Sequence, residues 1–151
     1  MSTSPPASAA ELRQRALRLL ARREHSRAEL ARKLAPYAGS EQELETLLDG
    51  LVERKQLSDE RYAAERAHWL SRKYGASRIR HDLRAKGVAE ELIARACAGG
   101  DEFERCSVAL KKKYRAPATT REERARRGRF LQSRGFSHEV IRRALALAGD
   151  D

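Results

Sequence analysis

Leu12, Ala16, Leu19 and Leu20 recur at helical spacing while Arg13, Arg15, Arg18 and Arg22 take the other faces, predicting an amphipathic helix from Glu11 to about Glu24 or His25. Ser26 and Glu29 form an S-x-x-E capping box ahead of a short helix whose stripe is Leu30 and Leu34, ending before Pro36. A second box, Ser40 and Glu43, opens a helix through Leu44, Leu47, Leu48, Leu51 and Val52 to about Lys55. Leu57-Ser58-Asp59 reads as a link with a cap, and Tyr62, Ala63, Arg66, Trp69 and Leu70 continue helical spacing until Tyr74-Gly75 stops it. Ser77 is the predicted cap of a helix carrying Ile79 and Leu83 up to Lys86-Gly87, and Leu92, Ile93 and Ala96 mark the next. After Ala98-Gly99-Gly100-Asp101, Phe103, Cys106, Val108 and Leu110 begin a helix that runs into Lys111-Lys112-Lys113. A loop around Pro117 precedes a basic helix over 122–134 with Phe130 and Leu131 on its apolar side, and Ser137, Val140, Ile141, Ala144 and Leu145 form the last helix.

These helices repeat. Leu83, Gly87, Val88, Leu92, Ile93 and Ala96 match Leu131, Gly135, Phe136, Val140, Ile141 and Ala144, every pair 48 residues apart. Glu29-Leu30 and Lys33 stand opposite Asp82-Leu83 and Lys86 at an offset of 53, a looser fit. The expected fold is therefore all-α, with three tandem three-helix repeats at residues 11–56, 57–99 and 100–149 behind a disordered Ser, Pro and Ala tail at 1–10. Units this small cannot bury their hydrophobic faces alone, so an elongated, curved array is expected.

Composition agrees with thin modules. Leu, Ile, Val and Phe make up 28 of 151 residues while alanine supplies 25, which favours helices with a few Leu anchors over a thick two-layer core. No apolar window is long enough for a membrane span and no signal peptide is evident, so a cytoplasmic monomer is expected. Cys97 and Cys106 read as small buried thiols, with a single bridge left open. The net charge of +10 points to an anionic partner. Its distribution says more: residues 60–86 carry +5 and residues 111–134 carry +8, while 87–110 carry −3. Twenty-five of the 32 cations are Arg, which forks onto phosphates and carboxylates, although an Ala, Arg and Leu bias also arises from GC-rich coding.

Catalysis has little support. His25, His68, His81 and His138 lie in separate units outside any metal-ligand spacing and read as surface residues, and the pairs Glu90-Glu91 and Glu122-Glu123 diverge by about 100° on a helix. No cofactor or metal is expected, and the chain is not read as an enzyme. Short helices behind polar caps also suit a stand-alone DNA-binding protein of helix-turn-helix type, but the cations are spread over many helices with few amide side chains to read base edges. Trp69, Tyr62 and Tyr74 could stack on bases, yet their helical spacing reads as core.

Four stretches in order resemble the RecX family: His25 to Leu34, Leu57 to Ala63, Tyr74 to Val88, and Phe130 to Ser137. The resemblance covers most of the chain from Ala16 to Leu147 and implies a bacterial regulator of tandem three-helix units. It further implies a partner, the RecA recombinase filament on single-stranded DNA, whose ATPase, strand-exchange and coprotease activities are restrained. Direct DNA contact is a further possibility in that picture. Charge alone selects the candidate contacts to RecA acids or DNA phosphates: Arg72, Lys73, Arg78, Arg80, Arg84 and Lys86 in the second unit, and Arg124, Arg126, Arg127, Arg129 and Arg134 in the third. Ser26, Ser77, Leu30, Leu83, Leu131, Gly87, Gly135 and Phe136 are assigned to caps and core.

Overall fold

The structure, a computed structural model, describes residues 8–149, all helices and turns. The first unit comprises α1 (Ala9–Arg22), α2 (Arg27–Leu34) with a 3-10 turn at Ala35–Tyr37, and α3 (Glu41–Glu53). The second comprises α4 (Asp59–Leu70), α5 (Ala76–Ala85) and α6 (Glu90–Ala96), and the third α7 (Glu102–Lys113), α8 (Arg121–Ser133) and α9 (His138–Ala148). Most of the expected tail, residues 1–7, lies outside the described residues. Its last part departs from the expectation: Ser8 caps α1 by accepting from the Glu11 amide, so the helix starts at Ala9 rather than near Glu11.

Side-chain caps start most helices as the sequence predicts. Ser26, Ser40, Ser58 and Ser137 each accept from the backbone N–H three residues on, which satisfies one of the otherwise unpaired donors of a helix start. α6, behind Ala89, has no side-chain cap, and neither has α5, where one was expected. The N-cap of α5 is Gly75 and Ser77 sits exposed inside the first turn, so the predicted Ser77 cap is corrected.

Each unit builds its own small core. Leu12, Ala16, Leu30, Leu34, Leu48, Leu51 and Leu57 fill the first, so Leu57 closes that unit instead of opening the next. Tyr62, Ala63, Leu70, Ile79, Leu83, Val88 and Ile93 fill the second, and Cys106, Leu110, Leu131, Phe136, Ile141 and Ala144 the third. The matched pairs Leu83 and Leu131, Val88 and Phe136, and Ile93 and Ile141 occupy equivalent core places. Both cysteines are free: Cys106 is buried, which pushes its thiol up to about 11, and Cys97 is partly exposed. The accessible surface of 10331 Å² exceeds the roughly 7,800 Å² of a compact monomer of this mass, as separate thin cores require.

Helix ends join the units. At the second junction Gly75 N–H donates to the Arg134 carbonyl (2.8 Å), Ser77 N–H to the Gly135 carbonyl (3.3 Å), and the Arg78 guanidinium to the Ser133 carbonyl (3.1 Å). The start of α5 thus meets the finish of α8, and the unpaired donors of one satisfy the unpaired acceptors of the other. The first junction repeats the arrangement: Ser26 Oγ, at the start of α2, donates to the Lys86 carbonyl at the finish of α5 (2.8 Å). Asp59 accepts from the Arg27 amide (2.7 Å), and Arg61 pairs with Glu24 (2.9 Å). Among the described residues no hydrogen bond joins the first unit to the third.

Gly135 and Gly87 make this approach possible. Both have left-handed φ, +90° and +81°, and a Cβ on Gly135 would lie 2.4 Å from Arg78 Cβ and 2.6 Å from Arg78 N. One on Gly87 would lie 2.6 Å from Ala28 Cβ. α2 lacks such a glycine and runs into the 3-10 turn instead.

His25 is buried at 2% exposure, which corrects its reading as a surface residue; His68, His81 and His138 are exposed. Its Nδ1 lies 3.0 Å from the Arg23 carbonyl and its Nε2 3.0 Å from Lys33 Nζ, so a neutral ring donates to the first and accepts from the second. Burial holds this imidazole below its ordinary range. Glu29, also buried, accepts both forks of Arg23 (3.0 and 2.8 Å), and that pairing holds its carboxyl at about 2.

Two stability predictions follow from these contacts. Gly135→Ala should lower the unfolding free energy by at least about 2 kcal/mol, from the left-handed backbone and the Arg78 contact, while Gly128→Ala, at a helix position with its nearest outside atom 3.7 Å away, should raise it by up to about 1 kcal/mol. Denaturant melts of both variants check the pair. Because the folded carboxyl of Glu29 ionises at about 2, its contribution is present above the ordinary glutamate range near 4.5 and is lost as pH falls from there through 2. Glu29→Gln should flatten the dependence of the melting temperature on pH across that window.

Candidate nucleic-acid and protein interface

Most acidic residues are occupied by the fold. They stand in the first turns of α3, α4, α6, α7 and α8, where they complement the helix dipole, or in ion pairs such as Arg27 with Glu45 and Asp49, Arg66 with Asp82, and Arg95 with Glu91. The surplus Arg and Lys are left on the surface.

The candidate cations separate into groups. Arg72 and Lys73 lie exposed in the turn after α4, and Arg78 is exposed in the first turn of α5. Arg134, half-buried at the finish of α8, joins them across the junction: the Arg78 and Arg134 guanidinium carbons lie 4.7 and 5.7 Å from the Tyr74 ring centre, and Lys73 Nζ 6.0 Å. Arg105, from α7, donates to the Tyr74 carbonyl (3.1 Å) and fixes this turn from below. The structure therefore brings three candidates, Lys73, Arg78 and Arg134, from two units around one tyrosine, with Arg72 lining the adjoining cleft.

The others are placed elsewhere. Arg84 pairs with Glu90, which offsets its charge locally. Arg127 donates to the Ala116 carbonyl (2.8 Å) with its guanidinium 4.5 Å from Tyr114, and so braces the loop before α8. Lys86 is half-buried as the C-cap of α5, with its carbonyl committed to Ser26. Arg80 is exposed on α5. Arg124, Arg126 and Arg129 are exposed on α8; Arg126 and Arg129 are one turn apart, while Arg124 points about 200° away from Arg126 around the helix.

The aromatic residues divide differently from the expectation. Tyr62 is buried and Tyr74 partly buried, but Trp69 is 58% exposed, which corrects its assignment to the core. Trp69 lies seven residues after Tyr62 and so on nearly the same helix face. Tyr62 is covered by Glu29 and Arg23 of the first unit, whereas about 10 Å further along the helix that cover has ended. Arg66, which charge had not singled out, holds its guanidinium 5.2 Å from the indole and is itself held by Asp82 (3.1 and 3.2 Å). The i, i+3 spacing of Arg66 and Trp69 is the signal that could have paired them.

Comparison with known proteins agrees with the architecture. Residues 9–37, 58–96 and 100–145 match, respectively, the first, second and third three-helix domains of RecX. The regulatory protein RecX of Herbaspirillum seropedicae is 44% identical over 146 residues, covering 95% of this chain and 93% of that protein. That of Leptothrix cholodnii is 45% identical over 139 residues, covering 91% and 88%. The crystal structure of RecX from Lactobacillus salivarius superposes with a TM-score of 0.81 over 93% of this chain and 96% of that one, and at 18% identity it speaks for the fold alone. With three consecutive domain matches and relatives of this identity along nearly its whole length, the chain belongs to the RecX family of regulatory proteins.

Proposed function

We propose that this protein binds the RecA recombinase filament on single-stranded DNA in the cytoplasm and modulates, mainly by inhibition, its ATPase, strand-exchange and coprotease activities. The observation that carries the reading is family membership along nearly the whole chain, and the surface chemistry supports it. An extended row of three units with exposed Arg on the second and third suits a long anionic groove better than a single base-reading helix. The proposed contacts to RecA acids or DNA phosphates are led by Arg72, Lys73, Arg78 and Arg134 at the second junction, with Arg124, Arg126 and Arg129 along α8. In this reading the protein holds no cofactor or metal and catalyses no reaction.

The test is RecA's hydrolysis of ATP on preformed single-strand filaments, titrated with the protein at substoichiometric ratios alongside DNA binding without RecA. Hydrolysis should fall at ratios too low to coat the DNA. If it falls only when the DNA is saturated, the stand-alone DNA-binding reading replaces this one. Reversing Arg126→Glu and Arg129→Glu together should weaken filament binding and flatten its salt dependence, while changing stability by no more than about 0.5 kcal/mol because both residues are exposed. Unchanged filament binding would remove α8 from the contact surface.

A further inference from the structure

Two clefts flank Trp69, and they differ in charge. The one toward the first unit, about 430 Å³, balances Arg23, Arg66 and Lys86 against Glu24, Glu29 and Glu65. The other, about 490 Å³, has Arg72, Lys73 and Arg78 around Trp69 and Tyr74, and its acid, Asp82, is already bound by Arg66. An anion entering the second cleft meets uncompensated cations at an aromatic wall.

The two aromatic residues of that wall are not equivalent. Arg78, Lys73 and Arg134 already crowd the Tyr74 ring, whereas among the described residues Arg66 alone stacks near the indole of Trp69, which is 58% exposed. An acidic protein surface would pair with the cations and use the indole only as apolar contact area. A nucleotide uses both, since its base stacks on an aromatic face while its phosphates pair with Arg and Lys. The base must also be unstacked, because a duplex keeps its base faces inside. We propose that Trp69 and the cleft beside it form a base-stacking site for single-stranded nucleic acid, with Arg72, Lys73 and Arg78 holding the flanking phosphates. This rests on the reading that the junction cations meet nucleic acid, and adds to it a preference for single strands over duplex.

Trp69 is the sole tryptophan of the chain, so its fluorescence reports on the site directly. Titration with oligothymidylate should quench the emission, while a duplex of equal length and inorganic polyphosphate should bind without quenching. A parallel oligouridylate titration distinguishes DNA from RNA as the source of the base, and thymidine monophosphate shows whether a free nucleotide suffices; quenching by any of these bases upholds the stacking. Trp69→Ala should lower single-strand affinity roughly ten-fold and duplex affinity by less than about two-fold, with Trp69→Phe retaining most of the binding. Should the alanine variant fail to fold, as judged by circular dichroism, the phenylalanine variant and the quenching of the unsubstituted protein still decide. Equal quenching by duplex or polyphosphate, or an equal loss of single-strand and duplex affinity in Trp69→Ala, overturns the proposal. Binding of single strands without quenching overturns this site and leaves the filament reading standing; quenching without any effect on RecA hydrolysis does the reverse.

Discussion

Every short helix ends in backbone groups that it cannot satisfy itself, and here those groups hold the units together. The finish of α8 meets the start of α5, and the finish of α5 meets the start of α2, so donors and acceptors left over from one helix complete another. The helix dipoles at these joints are also opposed favourably, carbonyl end to amide end. The cores of the three units stay separate and small, and so these polar joints, more than apolar burial between units, fix how neighbouring units sit. Glycine at 87 and 135 is the chemical condition for such close approach.

The joints also organise the surface. Bonding α5 to the finish of α8 draws Arg134 toward Tyr74, Lys73 and Arg78, which makes one cationic cluster out of residues more than fifty positions apart in the chain. Meanwhile the acids are consumed as first-turn charges and internal ion pairs. The positive charge of the surface is thus what remains after the fold has used its carboxylates, and part of it gathers where the second and third units meet.

The repeat was legible because it rests on local rules: Leu83 and Leu131 in the cores, Gly87 and Gly135 at helix finishes, and caps three residues ahead of an amide. Ser77 shows where such rules stop. A serine near a helix start looks like a cap, but the acceptors that serve α5 are carbonyls of the third unit, 58 and 59 residues away from the amides they bind, and no local pattern contains them. Trp69 fails for a related reason. Its spacing from Tyr62 places both on one stripe, and only the extent of the first unit decides that one is covered and the other is not. His25 is buried because Arg23 and Lys33 both serve its ring, a pairing that motif spacing for metals or catalysis does not seek. Among the candidate cations, charge alone could not tell Arg84 and Arg127, engaged within the fold, from Arg126 and Arg129.

Residue-resolved amide exchange tests the central claim most directly, at Gly75 and Ser77. Both amides lie at a helix start, where no partner exists within the helix, and each donates here to a carbonyl of the next unit. The account predicts protection at both, comparable to that of amides inside α5. Exchange at the rate of an unstructured chain would show that the third unit does not complete the second, and would contradict the end-to-end joining of helices on which the array depends.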